Sequence, residues 1–357
     1  MVHMERQTNS SLFRLGHSAR LVVVTFFLLC AARHGESQQV PLISGGAGFL
    51  TTTSGGSTSY LPIAEPLIAA PLGSHVLVES RGSLVEAIFP DGHGGYDHRR
   101  SFGLTYLQGD LLVSPHLTLV AGSFLIPFGT YNERLSPVWI NNLQDGPLIS
   151  SLGLMGTGTG LGGEVRGSAI SRSKYSIDYK GYFSARSANK KFNAERSAGG
   201  QLDLYLPEAR LEVGLSYNRL LQGVSTAHEN FYGAHVWWEP KDTSFRLRSE
   251  FARGHHAQGY WIEADYRTHA FGGVDSWVGR VEPVVRMQQT FRRDTDHSDG
   301  LPLVNTQRIE FGLDYNLPHE TRIITSYSRK FAANGGDENI WETGIAYRFL
   351  FPVWKGK

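Results

Sequence analysis

The amino-acid sequence predicts an all-β protein, a transmembrane antiparallel β-barrel of about 14 strands (12–16). Three observations predict this fold class. Apolar and polar side chains alternate over segments of about ten residues, turn residues separate these segments, and an apolar leader precedes them. A soluble sandwich also buries one face of each strand, but so many strands would be unusually large for one soluble domain.

Residues 1–37 have the pattern of a signal peptide. Arginines precede an apolar run at 21–32, which is too short for a spanning helix of about 20 residues. Gly35 and Ser37 supply the small residues expected before a cut at Gln38. The pattern predicts export, and a disordered tail with a chance apolar run is the alternative.

Cys30, the only cysteine of the chain, lies inside this leader. The stretch FFLLC superficially resembles a lipoprotein signal, although Leu29 is larger than the residue usual before such a cysteine. Without further cysteines, the chain after the leader has neither a disulfide framework nor a thiolate metal site.

Two regions follow the leader. Residues 38–73 are rich in Gly, Ser, Thr and Pro and almost uncharged, which favours an extended or partly mobile N-terminal segment rather than a folded domain. Residues 74–357 carry the alternating segments and form the predicted barrel. In chain order, the candidate strands are 75–89, 100–112, 116–126, 159–169, 174–185, 199–207, 209–220, 229–240, 243–254, 258–269, 275–291, 306–316, 320–331 and 339–351.

The segment 306–316 shows the pattern that defines these strands. Arg308 and Glu310 fall on one face of an extended chain, and Ile309 and Phe311 fall on the other. A transmembrane barrel places the apolar face against lipid and the polar face in a watery lumen. The sheet must also close, because hydrocarbon cannot satisfy the polar groups of a free strand edge.

The last predicted strand ends in an aromatic residue, Phe351. This segment resembles the final strand of bacterial outer-membrane proteins, which the barrel-assembly machinery reads. The resemblance therefore implies this machinery as a partner. Six residues follow Phe351, which departs from the usual terminal position of the signal.

The segment 119–148 resembles a recurring stretch of the phosphate-selective porin family. In that family, a strand carrying Gly-x-Phe ends in Pro-Phe-Gly and leads into a partly helical loop. The matching positions are Gly122, Phe124, Pro127, Phe128 and Gly129. The resemblance implies an outer-membrane barrel, usually a homotrimer, whose loops fold inward and narrow the channel. The dense Arg and Lys behind the family's anion selectivity are not repeated here.

The loop at 130–148 departs from strand alternation and mixes apolar with polar side chains. Burying Trp139 and Ile140 against the inner wall would contribute about 1.5–3 kcal/mol each. We therefore expect a short helix near 135–146 inside the barrel. The residues expected to form a constriction are Trp139, Ile140, Asn141 and Asn142. The alternative is a loop that packs on a neighbouring subunit.

Charged side chains on the polar strand faces are the candidates for lining a pore. They are Arg246, Arg248, Glu250, Glu263, Asp265, Arg280, Glu282, Arg286, Arg292, Arg308 and Glu310. The arginines alone would attract anions, but acidic residues on the same strands would pair with them. This balance favours a salt-bridged lining with at most weak charge selectivity.

No catalytic, cofactor-binding or metal site is predicted. The glycines at 158–163 imitate a dinucleotide motif, but the residues after them alternate like a strand instead of opening a helix. The segment 294–300 imitates a calcium loop without its closing glutamate. Adjacent His255 and His256 would point to opposite sides of an extended chain. The net charge of +1 gives no support for a nucleic-acid partner.

The function that these patterns favour is that of an outer-membrane porin of a Gram-negative-type bacterium, exported by its signal peptide. Small hydrophilic solutes or anions would diffuse through it passively, and outer-membrane lipid and further copies of the chain would be its other partners. A non-conducting barrel acting as an adhesin or surface-binding scaffold is the alternative. An enzyme is disfavoured because no spacing singles out a catalytic set.

Overall fold

The computed structural model describes residues 41–150, 158–185, 196–222, 229–273, 275–294 and 300–352. Within these ranges, sixteen strands form one closed antiparallel barrel in which every strand pairs with its chain neighbours and the first pairs with the last. The predicted signal peptide lies outside the described residues. None of the helices in this part of the chain is long and apolar enough to cross a membrane.

Along the described part of the chain, the strands follow one another with two short helical segments between them. The strands are β1 (Leu42–Ser54), β2 (Ser57–Pro71), β3 (Val76–Pro90), β4 (Tyr96–Ser114), β5 (Leu117–Leu125), β6 (Thr159–Ser171), β7 (Ser176–Ala185), β8 (Arg196–Leu206), β9 (Leu211–Gln222), β10 (Glu229–Trp238), β11 (Phe245–Arg253), β12 (Ala257–Tyr266), β13 (Val281–Arg292), β14 (Thr306–Leu317), β15 (Thr321–Ala332) and β16 (Glu338–Pro352). One π-helical turn covers Tyr131–Leu135, and helix α1 covers His269–Gly272.

The closed antiparallel barrel is confirmed, but the expected number of about 14 strands is too low. The fourteen predicted segments correspond to β3–β16, and two further strands, β1 and β2, come from the region 38–73. The barrel therefore begins at Leu42 and not at residue 74.

Glycine and proline concealed β1 and β2 in the sequence. The strands join through a two-residue turn in which Gly55 and Gly56 have φ values of +57° and +79°, a turn that suits glycine at both positions. The β1–β2 ladder continues through Pro62 and Pro66, whereas the β2–β3 ladder lacks pairs at both prolines. Because proline lacks an N–H, each proline removes hydrogen bonds from the β2–β3 ladder only. The β1–β2 ladder stays intact, and β2 remains a strand.

The alternation in the sequence corresponds to the two faces of the barrel wall. In β14, Arg308 and Glu310 are buried on the inner face, while Phe311 and Leu313 are exposed on the outer face. Successive connections alternate between the two ends of the barrel. We call the end where β1 begins and β16 finishes the terminal end. The long β5–β6 connection starts from the opposite end.

Candidate functional site in the barrel interior

The β5–β6 connection turns into the barrel immediately after β5. Gly129, with φ of +65°, makes this turn, and its amide donates to Ser216 Oγ at 3.0 Å. The next two amides, of Thr130 and Tyr131, donate to one carboxylate oxygen of Glu250 at 3.0 and 3.2 Å. A Cβ on Gly129 would lie 2.3 Å from the Glu250 carboxylate, so glycine allows the loop to begin this close to the wall.

The loop does not form the helix expected near 135–146. The single π-helical turn is followed by non-helical backbone. Side chains of the barrel wall accept from amides of the loop: Val138 N donates to Glu65 Oε2 at 2.9 Å, and Leu148 N donates to Gln288 Oε1 at 2.7 Å. These contacts attach the loop to β2 and β13.

The four residues expected to form the constriction differ in their burial. Asn141 and Asn142 are buried, and Trp139 is half-buried. Ile140 is 39% exposed, so its expected burial against the wall is wrong. Ile140 lines a cavity of about 700 Å³ that also includes residues of the terminal end, such as Pro318.

The inner faces of β11–β16 carry a buried network of ion pairs, which we call the sealed wall. Arg286 donates from Nε and Nη2 to Glu263 Oε2 at 2.8 and 2.5 Å. Arg248 contacts the same Glu263 and donates to Asp265 at 3.1 Å. Both arginine side chains are only 2% exposed, because the loop lies over them.

The tip of the loop joins this network through Asp145. Arg308 Nη1 donates to Asp145 Oδ2 at 2.7 Å, and Arg286 Nη1 donates to the Asp145 carbonyl at 2.7 Å. Arg308 also donates to Glu342 at 3.2 Å. Burial raises the pKa of Asp145, but the positive charges of Arg308 and Arg286 together with hydrogen bonds from Arg308 and Glu342 outweigh it, and the pKa is held below its usual range.

The remaining pore-lining candidates do not form one continuous surface. Arg246 donates to Asp265 at 2.7 Å and pairs with Glu282 near the terminal end. Arg280 lies in the β12–β13 connection, and Arg292 is the last residue of β13. The structure therefore brings most of these residues into ion pairs beneath the loop.

An apolar core also occupies the barrel interior, which the sequence did not indicate. Phe124 and Phe128 enter it from β5 and the start of the loop. Phe231 and Trp261 enter it from β10 and β12, and all four side chains are at most 1% exposed. Phe124, Phe231 and Trp261 occupy inward positions on three different strands and Phe128 follows β5, so no local pattern marks the four as a group.

The inner faces of β4–β9 are less covered, and we call them the open wall. Arg166 donates to Asp110 Oδ2 at 2.5 Å, yet its side chain remains 34% exposed. Arg134 of the loop donates to Glu212 at 2.7 Å and remains 37% exposed. Sequence reasoning missed these residues, although the inward ones lie on polar faces of predicted strands.

Comparison with known proteins identifies the fold without identifying a family. No family model matches the chain, and no curated protein matches it. The chain is similar to an anion-selective porin from Comamonas acidovorans, with a TM-score of 0.55, 12% identity and coverage of 87% of this chain and 98% of that chain. It is also similar to OmpF from Salmonella typhi in a complex with daunomycin (TM-score 0.56, 10% identity, 87% and 97% covered).

A third similar structure is OmpT, an outer membrane protein of Vibrio cholerae, with a TM-score of 0.55, 7% identity and coverage of 89% and 100%. At these identities the likeness establishes the architecture alone. The chain has the closed antiparallel barrel fold that outer-membrane porins share.

Proposed function

We propose that this chain is an outer-membrane porin through which small hydrophilic solutes or ions diffuse passively, and that the loop 130–148 sets its narrowest point. The similar solved structures support the porin part of the proposal. The observation that carries the constriction is the attachment of the loop to opposite parts of the inner wall, from Glu65 on β2 to Glu250 on β11. A loop held at both places crosses the lumen.

The proposed path for solutes runs between the loop and the open wall. Ion pairs on the sealed wall are covered, whereas Arg134 and Arg166 keep about a third of their side-chain surface exposed. Lys180 of β7 pairs with Glu133 of the loop, and both are partly exposed. A hydrated solute would therefore meet paired charges of both signs along this path.

The resemblance at 119–148 extends the proposal to relatives of the phosphate-selective porins and to a homotrimer. Arg134, Arg166 and Lys180 each have an acidic partner, which supports at most a weak preference for anions. This proposal places the protein in the outer membrane of a Gram-negative-type bacterium.

The second candidate is a non-conducting barrel that serves as an adhesin or surface-binding scaffold. The apolar core formed by Phe124, Phe128, Phe231 and Trp261 favours it, because these side chains fill space that a wide channel would leave to water.

Conductance of the purified protein in a planar lipid bilayer separates the two candidates. The porin proposal expects stepwise, ohmic current increments as single proteins insert. A heat-killed sample provides the control for detergent artefacts. Correctly folded protein that inserts without current would overturn the porin proposal and leave the scaffold.

A further inference from the structure

Three adjoining strands, β8, β9 and β10, bring an imidazole and two carboxylates together where the open wall ends. Asp203 of β8 and His235 of β10 both pair with Gly214 of β9, one from each side. A Cβ on Gly214 would lie 2.1 Å from the His235 ring and 2.2 Å from Asp203 Oδ1. Because glycine leaves this space empty, side chains from strands that are not neighbours meet above it. Glu212, two residues earlier in β9, completes the group.

The distances within this group match those of a metal coordination shell. His235 Nε2 lies 3.4 Å from Asp203 Oδ1 and 3.3 Å from Glu212 Oε1. Zinc bonds of about 2.0–2.1 Å in a tetrahedron place neighbouring ligand atoms about 3.3–3.4 Å apart. One atom from each residue lies within 4.8 Å of the others, so small movements of the carboxylates would let a single ion contact all three.

The surroundings orient the three side chains toward one point. Gln201 Nε2 donates to both oxygens of Asp203 at 2.9 Å, which holds that carboxylate in place. The His235 side chain is fully buried, and its Nδ1 has no hydrogen-bond partner among the described residues, so its polar contacts are those of Nε2 with the carboxylates. Glu212 is 16% exposed and provides access from the lumen.

We propose that Asp203, Glu212 and His235 bind a divalent transition-metal ion of the zinc type, with a fourth position open to the lumen. One imidazole nitrogen and two carboxylate oxygens suit zinc or cobalt(II) better than calcium or magnesium, which prefer six or more oxygen ligands. Arg134 donates to the same Glu212 oxygen that faces His235. The metal and the Arg134 guanidinium therefore compete for that oxygen.

Cobalt(II) titration of the full-length, detergent-solubilised protein tests this site directly, because tetrahedral cobalt absorbs strongly in visible light. We expect saturable absorption at one equivalent that excess zinc removes. His235→Ala should weaken cobalt binding by more than about a hundredfold, and Gln201→Leu, which removes the outer hydrogen bonds, by about tenfold. A heat-modifiability gel and circular dichroism establish that each variant forms the barrel.

A matched control comes from the second group of metal-binding side chains, His255, His256 and Asp294 at the rim. The double variant His255→Ala/His256→Ala should leave the cobalt spectrum unchanged. Absorption that disappears in this variant and persists in His235→Ala would overturn the proposal, as would wild-type protein without a tetrahedral spectrum.

Arg134→Ala tests the competition without requiring that the barrel conducts. Removing the guanidinium should raise the affinity for cobalt severalfold, because Glu212 Oε1 becomes available. A lowered affinity would contradict the assignment of Glu212 as a ligand. Neither readout uses ion current, so a silent bilayer would leave the metal site standing.

Discussion

The sealed wall and the open wall have the same strand chemistry but different surroundings. Both present arginines paired with carboxylates on inward positions, yet Arg286 is 2% exposed and Arg166 is 34% exposed. The difference comes from the loop, which lies over β11–β16 and leaves part of β4–β9 uncovered. Alternation along a strand determines which side chains face inward, and the loop determines which of these meet water.

The largest expected effect separates the two walls by stability. Arg286→Ala removes one partner from a buried network. It should lower the free energy of unfolding by about 3–5 kcal/mol, because the buried Glu263 carboxylate then keeps only one of its two arginine partners. Arg166→Ala, the matched control on the open wall, should cost no more than about 1 kcal/mol. Urea unfolding in detergent micelles, followed by tryptophan fluorescence, measures both values. Equal losses of unfolding free energy in Arg286→Ala and Arg166→Ala would contradict the difference in burial between the two walls.

Deletion of residues 136–145 should raise the single-channel conductance severalfold, because the segment that crosses the lumen is removed. Ile140→Ala is the control within the same loop, and it should change conductance little since this side chain is exposed in a cavity. An unchanged conductance in a correctly folded deletion variant would instead make the loop a subunit-interface element.

Single-cysteine variants sharpen the comparison by probing water access. Cysteine in place of Arg166 on the open wall should react quickly with a charged methanethiosulfonate reagent added in solution, and the current should fall. Cysteine in place of Glu310, whose side chain is fully buried on the sealed wall, should remain unmodified. Both variants carry Cys30→Ser. Rapid modification at position 310 would contradict the proposed path, because it would show that water reaches the sealed wall beneath the loop.

The smallest effect concerns charge selectivity. Lys180→Ala should shift the reversal potential slightly toward cation preference, and Glu133→Ala, its partner, slightly toward anion preference. Both shifts should shrink as the salt concentration rises, because screening shortens the reach of exposed charges. A large shift of the reversal potential from Lys180→Ala would contradict the prediction. It would mean that Lys180 acts on permeating ions without being neutralised by Glu133.

Strand alternation was sufficient to predict the antiparallel barrel and the positions of β3–β16. The first two strands were missed because Gly55, Gly56 and the prolines of β2 are typical of linkers, and only the pairing shows that one ladder of β2 stays continuous. The inward direction of the loop was also expected. Its non-helical course was not, because Glu65 and Gln288 accept its amides from strands far away in the chain.

The site was less predictable than the fold, since its contacts depend on which strands lie opposite one another. Glu250 is one of many inward carboxylates, and no local signal shows that it accepts the first amides of the loop. Asp203 and His235 meet only because Gly214 separates them on the intervening strand. The space above Gly214 can be recognised only when the register of β8, β9 and β10 is known.

Closure of the barrel has a kinetic consequence. β1 pairs with β16, and Thr51 donates a hydrogen bond to the carbonyl of Thr343, 292 residues away in the chain. The first strand keeps an unpaired edge until the last strand pairs with it, and contacts of such long range form slowly. An exposed edge during this interval can pair with another chain. The interval before β1 and β16 pair is therefore when this chain is most prone to aggregate.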